Sequence, residues 1–151
     1  MTDEQLESLT SQVVAIARRA GEAVCKIYET DFDVLTKADE SPLTQADLAS
    51  EEVILSGLSQ LTPRLPVLSE ETGDIPYEER KSWQLSWLVD PLDGTKEFVK
   101  RNGEFTINIA LVENGAPILG VVHAPVLNVT YAAARGYGAR KLRMNKETAI
   151  K

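Results

Sequence analysis

The stretch FTINIALVENGAPILGVVH, residues 105–123, decides the fold of this chain. Over 105–111 apolar residues alternate with small or polar ones, which is typical of a half-buried strand. Asn114-Gly115 is a hairpin signal, because both residues tolerate the positive φ angles of a tight turn. Another apolar run follows over 118–123. The stretch therefore predicts an antiparallel hairpin.

Two amphipathic helices are predicted before this hairpin. Apolar residues recur at spacings of three and four over 4–28, and again up to about residue 61. Thr44, with Asp47 three residues later, resembles a capping box and predicts the start of the second helix. Thr62-Pro63 is expected to end it, because proline disfavours the helical conformation of the residue before it.

Short strands are expected around the hairpin, over 66–68, 85–89 and 129–134. Two helices followed by a meander of sequential strands predict an α+β fold class, with two long helices packed on a mainly antiparallel sheet. Residues 1–140 then form one α+β layer, and 141–151 form a sheet edge segment or a loose tail.

The segment LVDPLDGTKEF, residues 88–98, carries the candidate chemistry. A strand delivers Asp90 at its end, and Pro91 is expected to stop that strand because proline has no N–H for the ladder. Asp93-Gly94 is a turn dipeptide that continues the change of direction.

Asp90 and Asp93 place two carboxylates three residues apart in a stiff turn, where the Leu92 carbonyl can point to the same side. Oxygen ligands of this kind suit Mg²⁺. A calcium loop would need acids at alternate positions, and an aspartyl-phosphate phosphatase would need two acids two residues apart. Plain turn formation is the alternative explanation of the same residues.

Two further acids are candidates for the same cluster. Glu70 follows a short strand and would bridge two cations if that strand neighbours the strand of Asp90. Asp47 lies in the first turn of the second helix and would pair with the Thr95 hydroxyl to orient a water. The plainer explanations are a solvated acidic loop for Glu70, and capping with the helix dipole for Asp47.

The basic residues near these acids are Lys37, Lys96, Lys100 and Arg101, which supply positive charge to the site or form a solvated face. His123 lies in a strand pattern with no acidic or hydroxyl partner at a telling spacing, so we expect a packed or edge residue. The sequence supports neither a Ser-His-Asp or Cys-His nucleophile nor a glycine-rich phosphate loop.

Composition restricts the function further. The 151 residues, 43% of them hydrophobic, suit one globular domain. The net charge of −7 argues against nucleic acid as a partner, but a small phosphorylated substrate is compatible if cations lie between the negative oxygens. Cys25 is the single cysteine, and no signal peptide or long apolar run is visible. We therefore expect a cytoplasmic protein, either free or in peripheral contact with a membrane.

Three motifs, taken together and in order, resemble the lithium-sensitive inositol monophosphatase superfamily. They are KADESPLTQAD at 37–47, LSEE at 68–71 and WLVDPLDGTKEF at 87–98. Lys96-Glu97 is similar to the bacterial bisphosphate nucleotidase branch, because inositol monophosphatases proper tend to have Thr-Asn there. The following NGEFT at 102–106 points to the same branch.

The resemblance implies a fold and a set of roles. The fold is an αβαβα sugar-phosphatase sandwich, of which this chain is the first half. The cofactors are two or three Mg²⁺ ions, held by Glu70, Asp90, the Leu92 carbonyl and Asp93. Thr95, polarised by Asp47 and with Glu70 nearby, orients the attacking water. The substrate contacts are Glu70, Leu92, Asp93, Gly94, Thr95 and Lys96.

The resemblance also implies a reaction, which is removal of the 3′-phosphate from adenosine 3′,5′-bisphosphate or from its 5′-phosphosulfate form by two-metal water attack. The implied partner is thus a small phosphorylated nucleotide. Inositol monophosphate or another sugar phosphate is the alternative substrate.

Family members are longer than this chain, and their second half carries a Trp-Asp-x-Ala-Ala-Gly segment with a further metal ligand. These 151 residues do not contain that segment, so we expect the C-terminal layer to be absent. A catalytically silent metal-binding or assembly module is the alternative function. Such a module would form homo-oligomers by pairing through its uncovered sheet face.

Overall fold

The computed structural model describes residues 1–29, 42–69, 75–143 and 146–150. The helices are α1 (Asp3–Tyr28), α2 (Pro42–Ser59), α3 (Tyr77–Arg80) and α4 (Thr95–Lys100). The strands are β1 (Val67–Ser69), β2 (Leu85–Asp93), β3 (Thr106–Glu113), β4 (Ala116–Ala124), β5 (Val129–Ala134), β6 (Gly138–Arg143) and β7 (Lys146–Ile150). Within these ranges, none of the helices has the length and apolar character needed to span a membrane.

The strands form a seven-stranded sheet in which the spatial order follows the chain order. β1 pairs with β2 in parallel, and every other pairing is antiparallel. The β3–β4 hairpin turns at Asn114 and Gly115, with φ angles of 50° and 83°. Positive φ at both central residues matches the right-handed twist of the flanking strands. The mainly antiparallel sheet and the hairpin are confirmed.

Both long helices cover one face of this sheet. α1 contacts β3, β4 and β5, while α2 packs against α1 and β2. The covered side chains include Trp87 and Leu111, which are 1% and 0% exposed. On the opposite face, Leu88, Val122 and Tyr131 are 48%, 40% and 42% exposed. The α+β class with two helices on a mainly antiparallel sheet is therefore confirmed.

The start of the second helix differs from the prediction. α2 begins at Pro42, so Thr44 lies inside its first turn and the predicted capping box there is wrong. Proline suits a first helical turn, because the N–H that it lacks would have no intrahelical acceptor. A capping box does occur at α1, where Thr2 and Gln5 exchange hydrogen bonds of 2.8 and 3.2 Å.

The chain beyond β5 forms two strands. β6 pairs with β5, and β7 pairs with β6 to make the last strand of the sheet. The sequence did not predict β6, because a glycine followed by basic residues has little strand preference. The free edge of β5 supplies the hydrogen-bonding partners that the local sequence does not indicate.

Candidate metal and phosphate site

The site is built around a bulge at the end of β2. Asp90 pairs with Asn108 of β3, and Asp93 pairs with Thr106, so β2 carries one extra residue between them. The prediction that Pro91 ends the strand is wrong, since β2 continues to Asp93. A bulge tolerates proline because the inserted residue stands outside the regular ladder.

This bulge contains three candidate oxygen donors within one short segment. They are the carboxylates of Asp90 and Asp93 and the main-chain carbonyl of Leu92. Asp90 is half-buried and Asp93 is exposed, while the Leu92 side chain is buried and anchors the bulge in the core. Hard oxygen donors without nitrogen or sulfur fit Mg²⁺.

Asn108 sets the orientation of one of these carboxylates. Its Nδ2 donates to Asp93 Oδ2 over 3.2 Å, and its Oδ1 accepts from the Thr106 hydroxyl over 3.1 Å. Sequence reasoning missed this pair. The alternation over β3 placed both residues on the less apolar side of the strand, but only the register with β2 shows that they face Asp93.

Gly94 turns the chain from the bulge into α4. Its φ angle is 93°, and an added Cβ would lie 3.3 Å from the Phe105 Cα. Both the backbone conformation and the close approach therefore favour glycine. Thr95 and Lys96, the first residues of α4, are exposed.

An aromatic cluster fixes α4 beneath this turn. Phe98 of α4 lies with its ring centroid 5.3 Å from both Tyr28 and Phe105. Tyr28 and Phe105 are themselves 5.0 Å apart. Phe98 and Phe105 are fully buried, so the helix that carries Thr95 is tied to the end of α1 and to the segment before β3.

Helix α2 packs against the elements that carry the candidate site. It contacts both β2 and α4, so Asp47 lies on an element packed against the helix that begins with Thr95. Asp47 is half-buried. Glu70 and Lys37 lie outside the described residues, and so does the acidic neighbour Glu71. Across the described ranges, no three His, Cys, Asp or Glu side chains form a metal-binding group.

His123 lies apart from this site. It is 3% exposed, its Nδ1 is 2.8 Å from the Thr130 hydroxyl, and a Cβ added to Gly21 of α1 would lie 2.8 Å from its ring. The prediction of a packed residue is confirmed, whereas the expected lack of a hydroxyl partner is wrong. Burial first, and the positive charge of Arg18 second, lower the pKa of His123 to about 4.

A groove of about 580 Å³ runs from the site across the open face of the sheet. Asp90, Asn108 and Ser69 line its polar end, and Leu88, Gly120 and Val122 line its apolar part. The candidate ligand Asp90 therefore lies at the edge of an apolar surface. The fold and the site together define a mixed α+β protein with an acidic, oxygen-donor site beside a helix start.

Comparison with known proteins identifies the class. A model of the inositol monophosphatase family matches residues 5–150, and the chain belongs to that family. It is 59% identical over 131 residues to the 3′(2′),5′-bisphosphate nucleotidase CysQ of Escherichia coli K12, which covers 85% of this chain and 52% of that protein.

Solved structures agree with this relationship. The crystal structure of CysQ from Bacteroides thetaiotaomicron has a TM-score of 0.81 at 47% identity, covering 90% of this chain and 49% of that one. The inositol monophosphatase of Anabaena has a TM-score of 0.74 at 27% identity, covering 90% and 47%. The chain thus spans about half the length of the curated relatives that it matches.

Proposed function

We propose that this chain carries the site of a magnesium-dependent phosphatase of the 3′(2′),5′-bisphosphate nucleotidase type. The observation that carries the proposal is the bulge at the end of β2, in which Asp90, Leu92 and Asp93 lie within four residues, directly before the turn into α4. Relatives named as this nucleotidase, at 59% identity, support the same reaction class.

Each residue has a proposed role. Asp90, the Leu92 carbonyl and Asp93, together with Glu70, would hold two or three Mg²⁺ ions. Bound Mg²⁺ lowers the pKa of a water and neutralises the charge that grows on the leaving oxygen.

The turn and the two helices around it would supply the rest of the reaction. Gly94 and Thr95 would hold the phosphate, where the first N–H groups of α4 have no intrahelical acceptor. Asp47 and the Thr95 hydroxyl would orient the water that attacks phosphorus. The bond from phosphorus to the 3′-oxygen breaks, and the products are the 3′-alcohol and inorganic phosphate.

The proposed substrate is adenosine 3′,5′-bisphosphate or its 5′-phosphosulfate form. Lys96 is exposed in the first turn of α4, where its ammonium group would attract the substrate's negative charge. The net charge of −7 opposes binding of such an anion, so cations at the carboxylates would be needed to reverse the local field. We place the reaction in the cytoplasm, or on the cytoplasmic face of the inner membrane, because a single cysteine suits a reducing compartment.

We further propose that residues 1–140 form an N-terminal layer and that 141–151 belong to its edge segment. The open face of the sheet would then receive a second layer of the αβαβα sandwich. Two observations support this arrangement: the relatives are about twice as long as the chain, and Leu88 and Val122 expose an apolar surface on that face. Large exposed apolar surfaces commonly mark an interface.

A second candidate function follows from the same length difference. Without a second layer, the 151 residues would bind metal or assemble with other copies without catalysing turnover. A third candidate keeps the reaction but changes the substrate to inositol monophosphate or another sugar phosphate, which the likeness to the Anabaena inositol monophosphatase favours.

One assay separates the three candidates. We expect the chain, joined to the second layer that its open face would receive, to release phosphate from adenosine 3′,5′-bisphosphate with Mg²⁺, and to lose this release with EDTA or with Asp90→Asn. Faster release from inositol monophosphate would favour the sugar-phosphate candidate. Mg²⁺ binding without any release, measured by calorimetry on the same sample, would favour the silent module. Release that survives EDTA and Asp90→Asn would refute the proposed mechanism.

A further inference from the structure

Helix α2 directs two buried polar side chains, those of Ser50 and Glu51, toward the ends of β2 and β1. Ser50 and Glu51 follow Asp47 by three and four residues, so all three lie on one side of the helix. Ser50 and Glu51 are 0% and 7% exposed. A buried carboxylate and a buried hydroxyl beside a proposed metal site have to be explained by what they contact.

Ser50 holds the bulge of β2. Its hydroxyl donates to the Pro91 carbonyl over 2.7 Å, between two groups 41 residues apart in sequence. Pro91 lies between Asp90 and Leu92, which supply two of the proposed metal-binding oxygens. Because a bulge disrupts the regular ladder, a side-chain donor at this carbonyl fixes the path of the bulge.

Glu51 holds the end of β1 in a similar way. Its Oε1 accepts from the Ser69 hydroxyl over 2.9 Å, and Ser69 is 2% exposed. Ser69 is the last residue of β1 and pairs with Val89 of β2. The next residue in the chain is Glu70, so this hydrogen bond fixes the point from which the proposed third carboxylate departs.

Resting on the proposed function, we propose that Ser50 and the Ser69–Glu51 pair are positioning residues for metal binding. Helix α2 joins the two strand ends through these buried hydrogen bonds, which hold the end of β1 beside the bulge of β2. An ordinary core hydrogen bond would contribute stability alone. Loss of a group hydrogen-bonded directly to a metal ligand typically weakens metal affinity by about 10- to 100-fold, and the hydroxyls of Ser50 and Ser69 lie next to the proposed ligands in the chain, so we expect the lower end of that range.

The test uses variants that change no charge. Ser50→Ala and Ser69→Ala each delete one of these hydroxyls, and Thr10→Ala is the matched control. Thr10 is 3% exposed and donates to the Leu6 carbonyl over 2.6 Å within α1, away from the site. Ser69→Thr restores a hydroxyl at the end of β1 and serves as the rescue variant.

The measurement is Mn²⁺ binding to the full chain, followed by electron paramagnetic resonance of the free ion, with thermal unfolding recorded on the same samples. We expect Ser50→Ala and Ser69→Ala each to weaken Mn²⁺ binding about tenfold. Thr10→Ala should stay within about twofold of the unchanged chain for a comparable loss of thermal stability, and Ser69→Thr should recover most of the affinity.

Asp90→Asn distinguishes the two possible failures. If the unchanged chain binds Mn²⁺ no more tightly than Asp90→Asn, the proposed metal site is wrong and the positioning role falls with it. If Asp90→Asn loses binding but Ser50→Ala and Ser69→Ala both stay within about twofold of the unchanged chain, the positioning role alone is overturned.

Discussion

The two faces of the sheet are made from the same strands but have different roles. Val121 is 1% exposed beneath the helices, and its neighbour Val122 is 40% exposed on the open face. The covered face holds the buried core that α1 and α2 complete. The open face carries Asp90 and Asn108 at the rim of the groove. Successive side chains of a strand point to opposite faces of the sheet. Residues that build the core and residues proposed to act in the reaction therefore alternate along the same strands.

The largest expected effect tests whether stability comes from the covered face. Leu111→Ala removes a side chain that is 0% exposed, and we expect it to lower the free energy of unfolding by about 3 kcal/mol. Leu88→Ala is the matched change on the open face, where the side chain is 48% exposed, and should cost less than about 1 kcal/mol. Urea unfolding measures both. Equal losses would show that the open face is also packed.

The next effect concerns His123, a polar residue on the covered face. Its pKa in the folded chain, about 4, lies below the ordinary value of 6.5, so the unfolded chain binds more protons between these pH values. The contribution of the neutral ring is therefore fully present above pH 6.5 and is lost as the pH falls toward and through 4. We expect a loss of about 1–3 kcal/mol over this window.

His123→Gln is the control for this pH dependence, because glutamine does not titrate. The difference between the two unfolding free energies, measured at several pH values, isolates the histidine from the carboxylates that titrate in the same range. Parallel pH curves for the two proteins would contradict the depressed pKa.

A smaller effect is expected from two glycines on opposite sides of the sheet. A Cβ on Gly21 of α1 would lie 2.8 Å from the His123 ring and 2.9 Å from the Pro125 Cβ. Gly21→Ala should therefore destabilise the fold by about 1–2 kcal/mol, even after the better helix preference of alanine.

Gly120→Ala is the matched change on the open face, where an added Cβ meets nothing within 4 Å. We expect it to leave stability unchanged or to raise it by up to about 1 kcal/mol, because alanine restricts the unfolded chain. Thermal unfolding compares the two variants. A loss at Gly120 as large as that at Gly21 would mean that the open face has no free space.

The smallest effect on stability is expected for polar substitutions on the open face. Leu88→Ser with Val122→Ser should change the unfolding free energy by less than about 1 kcal/mol, but should reduce self-association of the chain in sedimentation velocity. Leu127→Ser, at a side chain that is 54% exposed outside the groove, is the control. If only the control variant reduces self-association, the copies associate through a surface other than the open face of the sheet.

Much of the fold could be predicted because its determinants are local. The alternation over β3 and the Asn114-Gly115 turn depend on neighbouring residues alone, and both are confirmed. The apolar spacing of three and four also predicted α1 to within one residue at its start. Local patterns report which side of an element is buried, and that was enough for the α+β class.

The errors arise where a distant partner overrides the local signal. Pro91 has no ladder donor, yet β2 continues because a bulge admits it. β6 forms because β5 offers an open edge. In the site, the sequence predicted Asp90 and Asp93 but missed Asn108, whose contact with Asp93 depends on the register between β2 and β3.

The sequence by itself determined the hairpin, the helix that begins the chain and the oxygen-bearing side chains at the end of β2, because these follow from residues next to one another. Only the tertiary structure decided that Ser50 of α2 holds Pro91, 41 residues away, and that one face of the sheet is covered while the other is open. The physical reason is that the periodicity of a helix or strand fixes the direction of each side chain, whereas the packing of the elements decides which residues that side chain contacts.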